Sequence, residues 1–135
     1  MAETFQFDLV SPESLLLSAE VEQVVVPGSE GQFTVLPRHA PFMSTLKPGA
    51  VEITSGGQTQ SFFVSGGFAD VNPGGLTILA DEAMPIDSID AARIDALIAE
   101  TEKSLAEMEP GHRKRVGAEK RLGDLRDYRR WIIPA

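Results

Sequence analysis

The chain has 135 residues, which is enough for one hydrophobic core or for one compact domain with an appendage. Its composition, 42% hydrophobic and 24% charged, is that of an ordinary globular protein, and no apolar run approaches the roughly 18 residues of a membrane span. The sequence contains no cysteine, which excludes disulfides, thiolate catalysis and cysteine-based zinc or iron–sulfur sites.

The formal charge of −8 is divided unevenly along the chain. Residues 112–130, the basic tail, hold eight of the 12 lysines and arginines but only three of the 20 acids, a charge of +5. The remaining residues hold 17 acids and four bases, a charge of −13. An acidic body repels nucleic acid and anionic lipid, whereas a basic tail is attracted to an acidic surface.

Residues 1–85 have the pattern of short strands. Phe5, Phe7 and Leu9 alternate with polar residues, as expected of a strand with one buried face. Six more apolar runs follow, at 15–17, 21–26, 33–36, 51–53, 62–64 and 76–79. Turn signals containing glycine and proline separate these runs. The spacing predicts an all-β sandwich or barrel.

After Pro85 the pattern changes to that of helices. Asp87 or Ser88 can cap the start of an amphipathic helix, and the segment 109–111, Glu-Pro-Gly, ends it. The apolar stripe of this helix contains Ile94, Leu97, Ile98, Leu105 and Met108. A second helix is predicted from about His112 to Trp131, with a narrower apolar seam of Ala118, Leu122, Leu125 and Ile132.

Two glycines weaken the predicted second helix. Gly117 and Gly123 each cost roughly 1 kcal/mol relative to alanine, so this helix is marginal unless it is docked. Such a helix suits a movable element, and equally a frayed terminus.

The strand pattern before Pro85 and the helix pattern after it predict two domains. They are an all-β sandwich over 1–86 and an antiparallel two-helix hairpin over 87–135.

Residues 28–41, with the sequence GSEGQFTVLPRHAP, concentrate glycine, proline and one of the two histidines. A phosphate-binding P-loop is excluded, because an alternating strand pattern follows Gly31 in place of the G-K-[ST] that opens a helix. The pattern favours a structural or interface role for His39 over a catalytic or metal-ligating one, since His112 lies far away in the sequence. Composition leaves a Ser-His-Asp triad open, although no G-x-S-x-G motif supports one.

The basic tail has three interpretations. Tyr128 and Trp131 lie among its basic residues, a combination that can bind nucleic acid. The basic residues surround the predicted helix instead of forming one stripe, and the acidic body opposes nucleic acid. A merely solvated face is the second interpretation. The favoured one is docking on an acidic protein surface.

Four segments of the first domain resemble one family closely. They are 7–13, 26–49, 64–71 and 77–83, and they occur in order over nearly the whole domain. These segments are similar to the epsilon subunit of the bacterial F-type, or rotary, ATP synthase, which is called delta in mitochondria. The C-terminal segment resembles the family only in the length and place of its predicted hairpin.

The resemblance implies a ten-stranded β-sandwich followed by two helices, in a central-stalk subunit with no active site of its own. The sandwich would contact the gamma subunit and the ring of c-subunits, so that proton flow turns the rotor against the catalytic head of alpha and beta subunits. An extended hairpin would reach that head and block rotation in the hydrolytic direction. The implied location is the cytoplasmic face of the bacterial inner (plasma) membrane, as a peripheral subunit that contacts no nucleic acid.

The family's contact residues carry over position by position. Ser11 and His39 match positions that face gamma. The match to the c-ring contact covers Gly28, Ser29, Glu30, Gly31 and Gln32. Gln32 stands where many relatives have an acid, which leaves Glu30 as the only charge in this loop. The basic residues implied to meet an acidic loop of the beta subunit are Arg113, Lys114, Arg115, Lys120, Arg121 and Arg126.

Some members of the family bind regulatory ATP at an Ile/Leu-Asp-x-x-Arg-Ala motif. The matching residues 89–94 keep Asp90 and Arg93 but end in Ile94, and Met84 replaces an upstream acid. Because a β-branched side chain hinders close approach of a ligand, we expect no cofactor and leave regulatory ATP as the open alternative. A hypothesis of another class is a free-standing β-sandwich module for a small anionic or sugar ligand, with the helices as a dimerisation hairpin.

Overall fold

The computed structural model describes residues 3–131, with the backbone alone of Trp131. The chain divides into two compact units, Met1–Ile86 and Asp87–Ala135. The first unit is built of strands and the second of helices.

Ten strands form the first unit, as the family resemblance implies. They are β1 (Phe5–Ser11), β2 (Ser14–Val21), β3 (Gln23–Gly28), β4 (Gly31–Val35), β5 (Phe42–Leu46), β6 (Gly49–Ser55), β7 (Gln58–Val64), β8 (Gly67–Asn72), β9 (Gly75–Ala80) and β10 (Ala83–Pro85). The apolar runs predicted as strands all lie in or beside these elements. Three strands without a predicted run of their own, β5, β8 and β10, complete the set.

The strands form one folded sheet in the order β10-β7-β6-β3-β5-β8-β9-β1-β2, with β4 paired to β3 beside this path. Neighbouring strands are antiparallel, except for β1 and β9, which are parallel. β1 therefore lies between β2, which follows it in the sequence, and β9, which comes near the end of the first unit. This pairing brings residues near position 10 beside residues near position 79.

Inward-facing side chains of alternating positions build the core. Phe5, Phe7 and Leu9 are buried, which confirms the alternation predicted for the first strand. On β9 the buried side chains are Leu76, Ile78 and Ala80, and Thr77 and Leu79 between them face outward. Complete burial of one such side chain contributes about 1.5–3 kcal/mol, so this core is the main stabilising contribution in the first unit.

The first helix, α1, spans Ala91–Glu107. The predicted cap at Asp87 or Ser88 is wrong, because Ile86–Ser88 form a single turn of 3-10 helix and Asp90 caps α1. The Oδ1 atom of Asp90 accepts a hydrogen bond of 2.9 Å from the backbone N–H of Arg93. Such a bond satisfies one of the four N–H groups that every helix start leaves without an intrahelical partner.

The apolar stripe of α1 differs from the prediction in its last turn. Met108 adopts an extended conformation at the C-cap and so lies beyond the helix, and Ile98 is half-buried. Thr101 is buried in its place, and its hydroxyl donates to the carbonyl of Leu97 at 2.9 Å. The buried residues of α1 are Ile94, Leu97, Thr101 and Leu105.

The second helix, α2, spans Arg115–Trp131 and packs against α1 as an αα-hairpin. It starts three residues later than predicted, because residues 109–114 form turns in which Gly111 has a φ of +86°. Leu122 and Leu125 of the predicted seam are buried. Tyr128 is buried as well, whereas Ile132 lies outside the described residues.

Candidate functional site

The turn between β3 and β4 presents the five residues matched to the c-ring contact. Gly28 pairs with Gly31, so Ser29 and Glu30 form the tip of a two-residue hairpin. A Cβ atom at Gly28 would lie 2.6 Å from the Gly31 carbonyl oxygen and 2.8 Å from the Phe33 ring, which only glycine avoids. Gly31 has a φ of +140°, outside the range of L side chains.

The same turn is fixed to β5. The Ser29 N–H donates to the Thr45 carbonyl at 2.9 Å, and the hydroxyls of these two residues lie 2.6 Å apart. The Lys47 N–H donates to the carbonyl of Pro27 at 3.0 Å. Glu30 and Gln32 are exposed beside this anchored backbone. The turn is thus a rigid, exposed tip and not a flexible loop.

His39 is held by backbone groups of two loops. Its Nδ1 lies 2.7 Å from the Leu36 carbonyl oxygen, and its Nε2 faces the carbonyl of Asn72. The ring of Phe5 packs edge-on against the imidazole, with ring centroids 5.3 Å apart. Because both ring nitrogens are directed at backbone carbonyls, the geometry is that of a structural histidine and not of a general base.

Ser11 and His39 lie at opposite ends of one strand. Ser11 ends β1, where its Oγ lies 3.4 Å from the Ser14 carbonyl oxygen, and His39 packs on Phe5 at the strand's start. Six residue steps in a β-strand span about 20 Å. A partner that contacts both residues must therefore extend along the whole strand.

An apolar row crosses the outer face of the sheet beside Ser11. In this row Leu15 of β2 and Leu79 of β9 both lie opposite Val10 of β1, and Phe68 of β8 lies opposite Leu79. Leu15 is 60% exposed and Leu79 is 50% exposed. Phe68 in turn pairs with Thr45, the residue that anchors the β3–β4 turn. The apolar row (Val10, Leu15, Phe68, Leu79) thus joins this turn to the end of β1.

Sequence reasoning missed the apolar row. The sign of the row in the sequence is the alternation of side-chain direction along a strand. Because Leu76 and Ile78 face inward, Leu79 must face outward, where a polar residue is usual on a surface that faces solvent. Val10 has the same outward direction after Leu9. Neither Val10 nor Leu79 is conspicuous in a short stretch of sequence, because the two residues become neighbours only through the parallel pairing of β1 and β9.

Basic side chains of the tail form ion pairs within the described part of the helical unit. Arg115 pairs with Glu119 at 3.0 Å and Lys120 with Asp124 at 3.2 Å, both along α2. Two further pairs cross from α2 to α1: Arg126 with Glu102 at 2.7 Å, and Arg129 with Asp95 at 3.1 Å. Arg113 and Lys114 are exposed in the turn before α2, and Arg121 is half-buried.

The fold argues against Tyr128 as a base-stacking residue in the nucleic-acid interpretation of the basic tail. Tyr128 is only 7% exposed, and burial raises the pKa of its hydroxyl above the ordinary value of 10.0. A ring in that position cannot serve as a stacking platform for bases. The side chain of Trp131 lies outside the described residues.

The residues matched to the ATP motif have structural roles. The carboxylate of Asp90 caps α1, and the guanidinium of Arg93 lies 3.9 Å from the carboxylate of Glu100. Ile94 is fully buried. A cavity of about 380 Å³ in the hairpin is lined by other residues, among them Lys114 and Arg121. Residues 3–131 contain no cluster of potential metal ligands, and no helix there is long and apolar enough to cross a membrane.

Comparison with known proteins identifies the family. Residues 4–86 match the family described as ATP synthase, Delta/Epsilon chain, beta-sandwich domain. The chain belongs to the ATP synthase delta/epsilon family. The ATP synthase epsilon chain of Parvibaculum lavamentivorans is 45% identical over 133 residues, which cover 98% of this chain and 100% of that protein. The epsilon chain of Brucella anthropi is 46% identical, with both chains covered completely.

Chains of two solved structures share the fold. A chain of the Euglena gracilis mitochondrial ATP synthase, solved as the OSCP/F1/c-ring assembly, is 25% identical with a TM-score of 0.69. That match covers 96% of this chain and 81% of the other. A chain of the Tetrahymena thermophila mitochondrial ATP synthase central stalk and c-ring is 14% identical, with a TM-score of 0.59 and 93% coverage of both. It supports the fold alone.

These matches confirm three predictions from the sequence. They are the epsilon-subunit resemblance, the β-sandwich followed by two helices, and the expectation of a subunit that is not an enzyme by itself. The matches to epsilon chains extend over both units, so the hypothesis of a free-standing ligand-binding module with a dimerisation hairpin is not supported.

Proposed function

We propose that the sandwich contacts the gamma subunit and the c-ring of an F-type ATP synthase, and that the hairpin restrains ATP hydrolysis. The role of a non-catalytic central-stalk subunit follows from membership in the delta/epsilon family. The finer assignments concern which surface meets which partner. We place the subunit at the cytoplasmic face of the bacterial plasma membrane, as a peripheral part of the complex.

The β3–β4 turn supports the proposed contact with the c-ring. Its backbone is anchored to β5, and glycine at positions 28 and 31 is required by close approach and by positive φ. A stalk that transmits torque needs a contact of this kind, because a flexible tip would absorb rotation. Glu30 and Gln32 would be the side chains that meet the loops of the c-subunits.

The apolar row supports the proposed contact with gamma. Exposed leucines in one contiguous row are characteristic of protein interfaces, since soluble surfaces rarely leave such rows uncovered. The row ends beside Ser11, and His39, in the loop between β4 and β5, packs on Phe5 at the other end of β1, so the family's two gamma-facing positions lie at the two ends of this strand. This geometry is the single observation that carries the proposal.

The basic tail supports the proposed restraint of hydrolysis. Lys114 and Arg113 are exposed, and Arg126 keeps about half of its side chain accessible while paired to Glu102. Complementary charge steers association and fixes register, so an acidic loop of the beta subunit is a suitable target. We propose no resident cofactor, because Asp90 is engaged as a helix cap and Ile94 is buried.

Removal of residues 88–135 separates the two roles. The truncated chain should still co-purify with gamma, because the apolar row and the β3–β4 turn lie in residues 3–86. The assembled enzyme should hydrolyse ATP faster than the enzyme with the full chain. Loss of gamma from the truncated chain would contradict the assignment of rotor contacts to the sandwich.

A further inference from the structure

We propose that the free edge of β2 is a docking site for an extended peptide segment with basic ends, which joins the sheet as a further strand. The segment pairs with residues 17–21, and its side chains on one side enter a cavity between β2 and β7. This site goes beyond the proposed function, since the contact proposed for gamma uses the outer face of the sheet and the contact proposed for the c-ring uses the β3–β4 turn.

β2 is a long edge strand with little protection against pairing. It is the last strand of the sheet path and, among the described strands, pairs with β1 alone. Its eight residues, SLLLSAEV, include neither the lysine nor the proline with which proteins usually block an edge. A bulge at Leu16 interrupts the pairing with β1 near the start of the strand, but residues 17–21 pair regularly. This regular stretch can receive another strand.

Two residues of β2 direct their backbone groups toward the free edge. The carbonyl of Glu20 accepts a hydrogen bond of 3.2 Å from the hydroxyl of Ser55, which belongs to β6 and not to β1. Along an antiparallel pair, residues alternate between bonding to the partner strand and facing away from it. Ser18, two residues before Glu20, therefore faces the edge as well. The N–H groups of both residues are the donors that an added strand would use.

A cavity of about 250 Å³ lies beside this edge. Leu17 and Ala19 of β2 line one side, and Gln58 and Gln60 of β7 line the other. The apolar floor includes Ile53 of β6. The sandwich is thus open along this side, with aliphatic groups inside and amide groups at the rim.

β7 also has a free edge beside the cavity. β10 is only three residues long and pairs with residues 62–64 of β7. Its last residue, Pro85, has no N–H with which to continue the ladder. Residues 58–61 of β7 therefore pair with β6 alone among the described strands. One added strand would cover the cavity that lies between the two free edges.

The size of the cavity favours the side chains of a peptide over a free ligand. Pockets for small molecules usually have about 300–1,000 Å³, which is more than this cavity offers. A strand added to an edge gains main-chain hydrogen bonds along its length, and pockets for alternate side chains give it specificity. The lining by Leu17 and Ile53 suits an aliphatic side chain at the inward-facing position.

Carboxylates beside the edge determine the charge of the segment. Glu13 precedes β2, Glu20 lies in it and Glu22 follows it, and none of the three has an ion pair within the described residues. Arg38 and Lys47 are the only arginine and lysine in residues 1–86. Lysine or arginine at both ends of the segment would complement this edge. A second copy of this chain is a poor occupant, because two β2 edges would bring together the same carboxylates.

Titration of the full chain with two synthetic peptides tests the site. The probe has the sequence KTVTVTVK, and the matched control, ETVTVTVE, differs only in the charge of its ends. We expect the basic probe to shift the nuclear magnetic resonance signals of amides in β2 and in residues 58–61, and to slow solvent exchange of the Ser18 and Glu20 amide hydrogens. Equal binding of both peptides, or no binding of the probe at millimolar concentration, would overturn the proposal.

Three variants locate the bound probe. Ala19→Leu fills the cavity and should weaken binding by about tenfold. Glu20→Lys should weaken binding by about two- to fivefold at low salt. Glu52→Lys is the matched control, because Glu52 is exposed on β6 between the inward-facing Val51 and Ile53. Unchanged affinity of Ala19→Leu, or an equal loss with Glu52→Lys, would contradict the site.

The pattern of amide exchange separates strand addition from a simple pocket. Signal shifts confined to the cavity residues, without slower exchange at Ser18 and Glu20, would show that a side chain binds without pairing of the backbone. That result would overturn the proposal. The dispersion of the amide signals shows in the same spectra whether each variant is folded, so a loss of binding by a folded Ala19→Leu chain supports the site.

Discussion

Leu79 of β9 lies directly opposite Val10 of β1, and half of the Leu79 side chain is exposed. The two residues are 69 positions apart in the sequence and meet only because β1 and β9 are parallel neighbours. A polar cluster adjoins them, in which the Ser18 hydroxyl donates to Asp8 at 2.6 Å. An apolar row beside polar groups is the usual composition of a protein interface.

Leu79→Ser should weaken binding to gamma without unfolding the chain. The lost contact lies on the surface, so the free energy of unfolding should change by no more than about 0.5 kcal/mol. Co-purification of gamma with a tagged variant measures the binding. Val116→Ser is the control, because Val116 is an exposed apolar residue of α2 that does not belong to the apolar row. Equal retention of gamma by both variants would show that the apolar row is not part of the interface with gamma.

His39→Ala should destabilise the first unit by about 1–2 kcal/mol. The change removes the imidazole N–H that donates to one of the two facing carbonyls, of Leu36 and Asn72, and removes the edge-on contact with Phe5. Thermal or urea denaturation measures the loss. His112→Ala provides the comparison, since His112 is exposed and its Nδ1 accepts one hydrogen bond, from the Lys114 N–H at 3.1 Å, so its loss should cost less, about 0.5–1 kcal/mol, and should affect the helical unit. A variant at His39 as stable as the parent would contradict the structural role.

The alternation of Phe5, Phe7 and Leu9 predicted the first strand, because the period of side-chain direction is a local property of the backbone. The start of α1 could not be chosen in the same way. Asp87, Ser88 and Asp90 are all suitable caps, and the choice depends on a turn of 3-10 helix. Local sequence therefore favours a helix start in this region without fixing its residue.

Contacts between distant elements were beyond sequence reasoning. The apolar row depends on the register of β1 with β9, and the ion pairs between α2 and α1 depend on the rotation of α2 about its axis. The charge of the tail was evident from composition, but its partners were not. In the sequence alone, Glu102 and Asp95 look like ordinary solvent-exposed acids. Their ion pairs with Arg126 and Arg129 become visible only when α2 packs beside α1.

Gly117→Ala and Gly123→Ala should each stabilise the helical unit by up to about 1 kcal/mol. A methyl group at either position enters open space and lowers the entropy of the unfolded chain. Thermal unfolding followed by circular dichroism at the helix band measures the gain. Gly111→Ala should have the opposite effect, because Gly111 has a φ of +86°. A loss of stability at positions 117 and 123 would show that their glycines have a packing role.

Asp8 should make the first unit sensitive to acid. Hydrogen bonds from Ser18 and Gln6 lower the pKa of Asp8 below its ordinary value of 3.8. A depressed folded-state pKa stabilises the fold above pH 3.8, and this contribution is lost as the pH falls through the folded value. Urea denaturation between neutral and acidic pH should show a smaller pH dependence for Asp8→Asn than for the parent. Identical profiles would exclude this contribution.

The most direct test of the central claim is to identify the proteins that co-purify with the chain from the membrane fraction. A tagged full-length chain, expressed in its own cells, is recovered from detergent-solubilised membranes, and the accompanying proteins are identified by mass spectrometry. We expect gamma and the c-subunit to accompany the parent chain and to be depleted with Leu79→Ser. Recovery of the parent chain alone, without rotor subunits, would contradict the account.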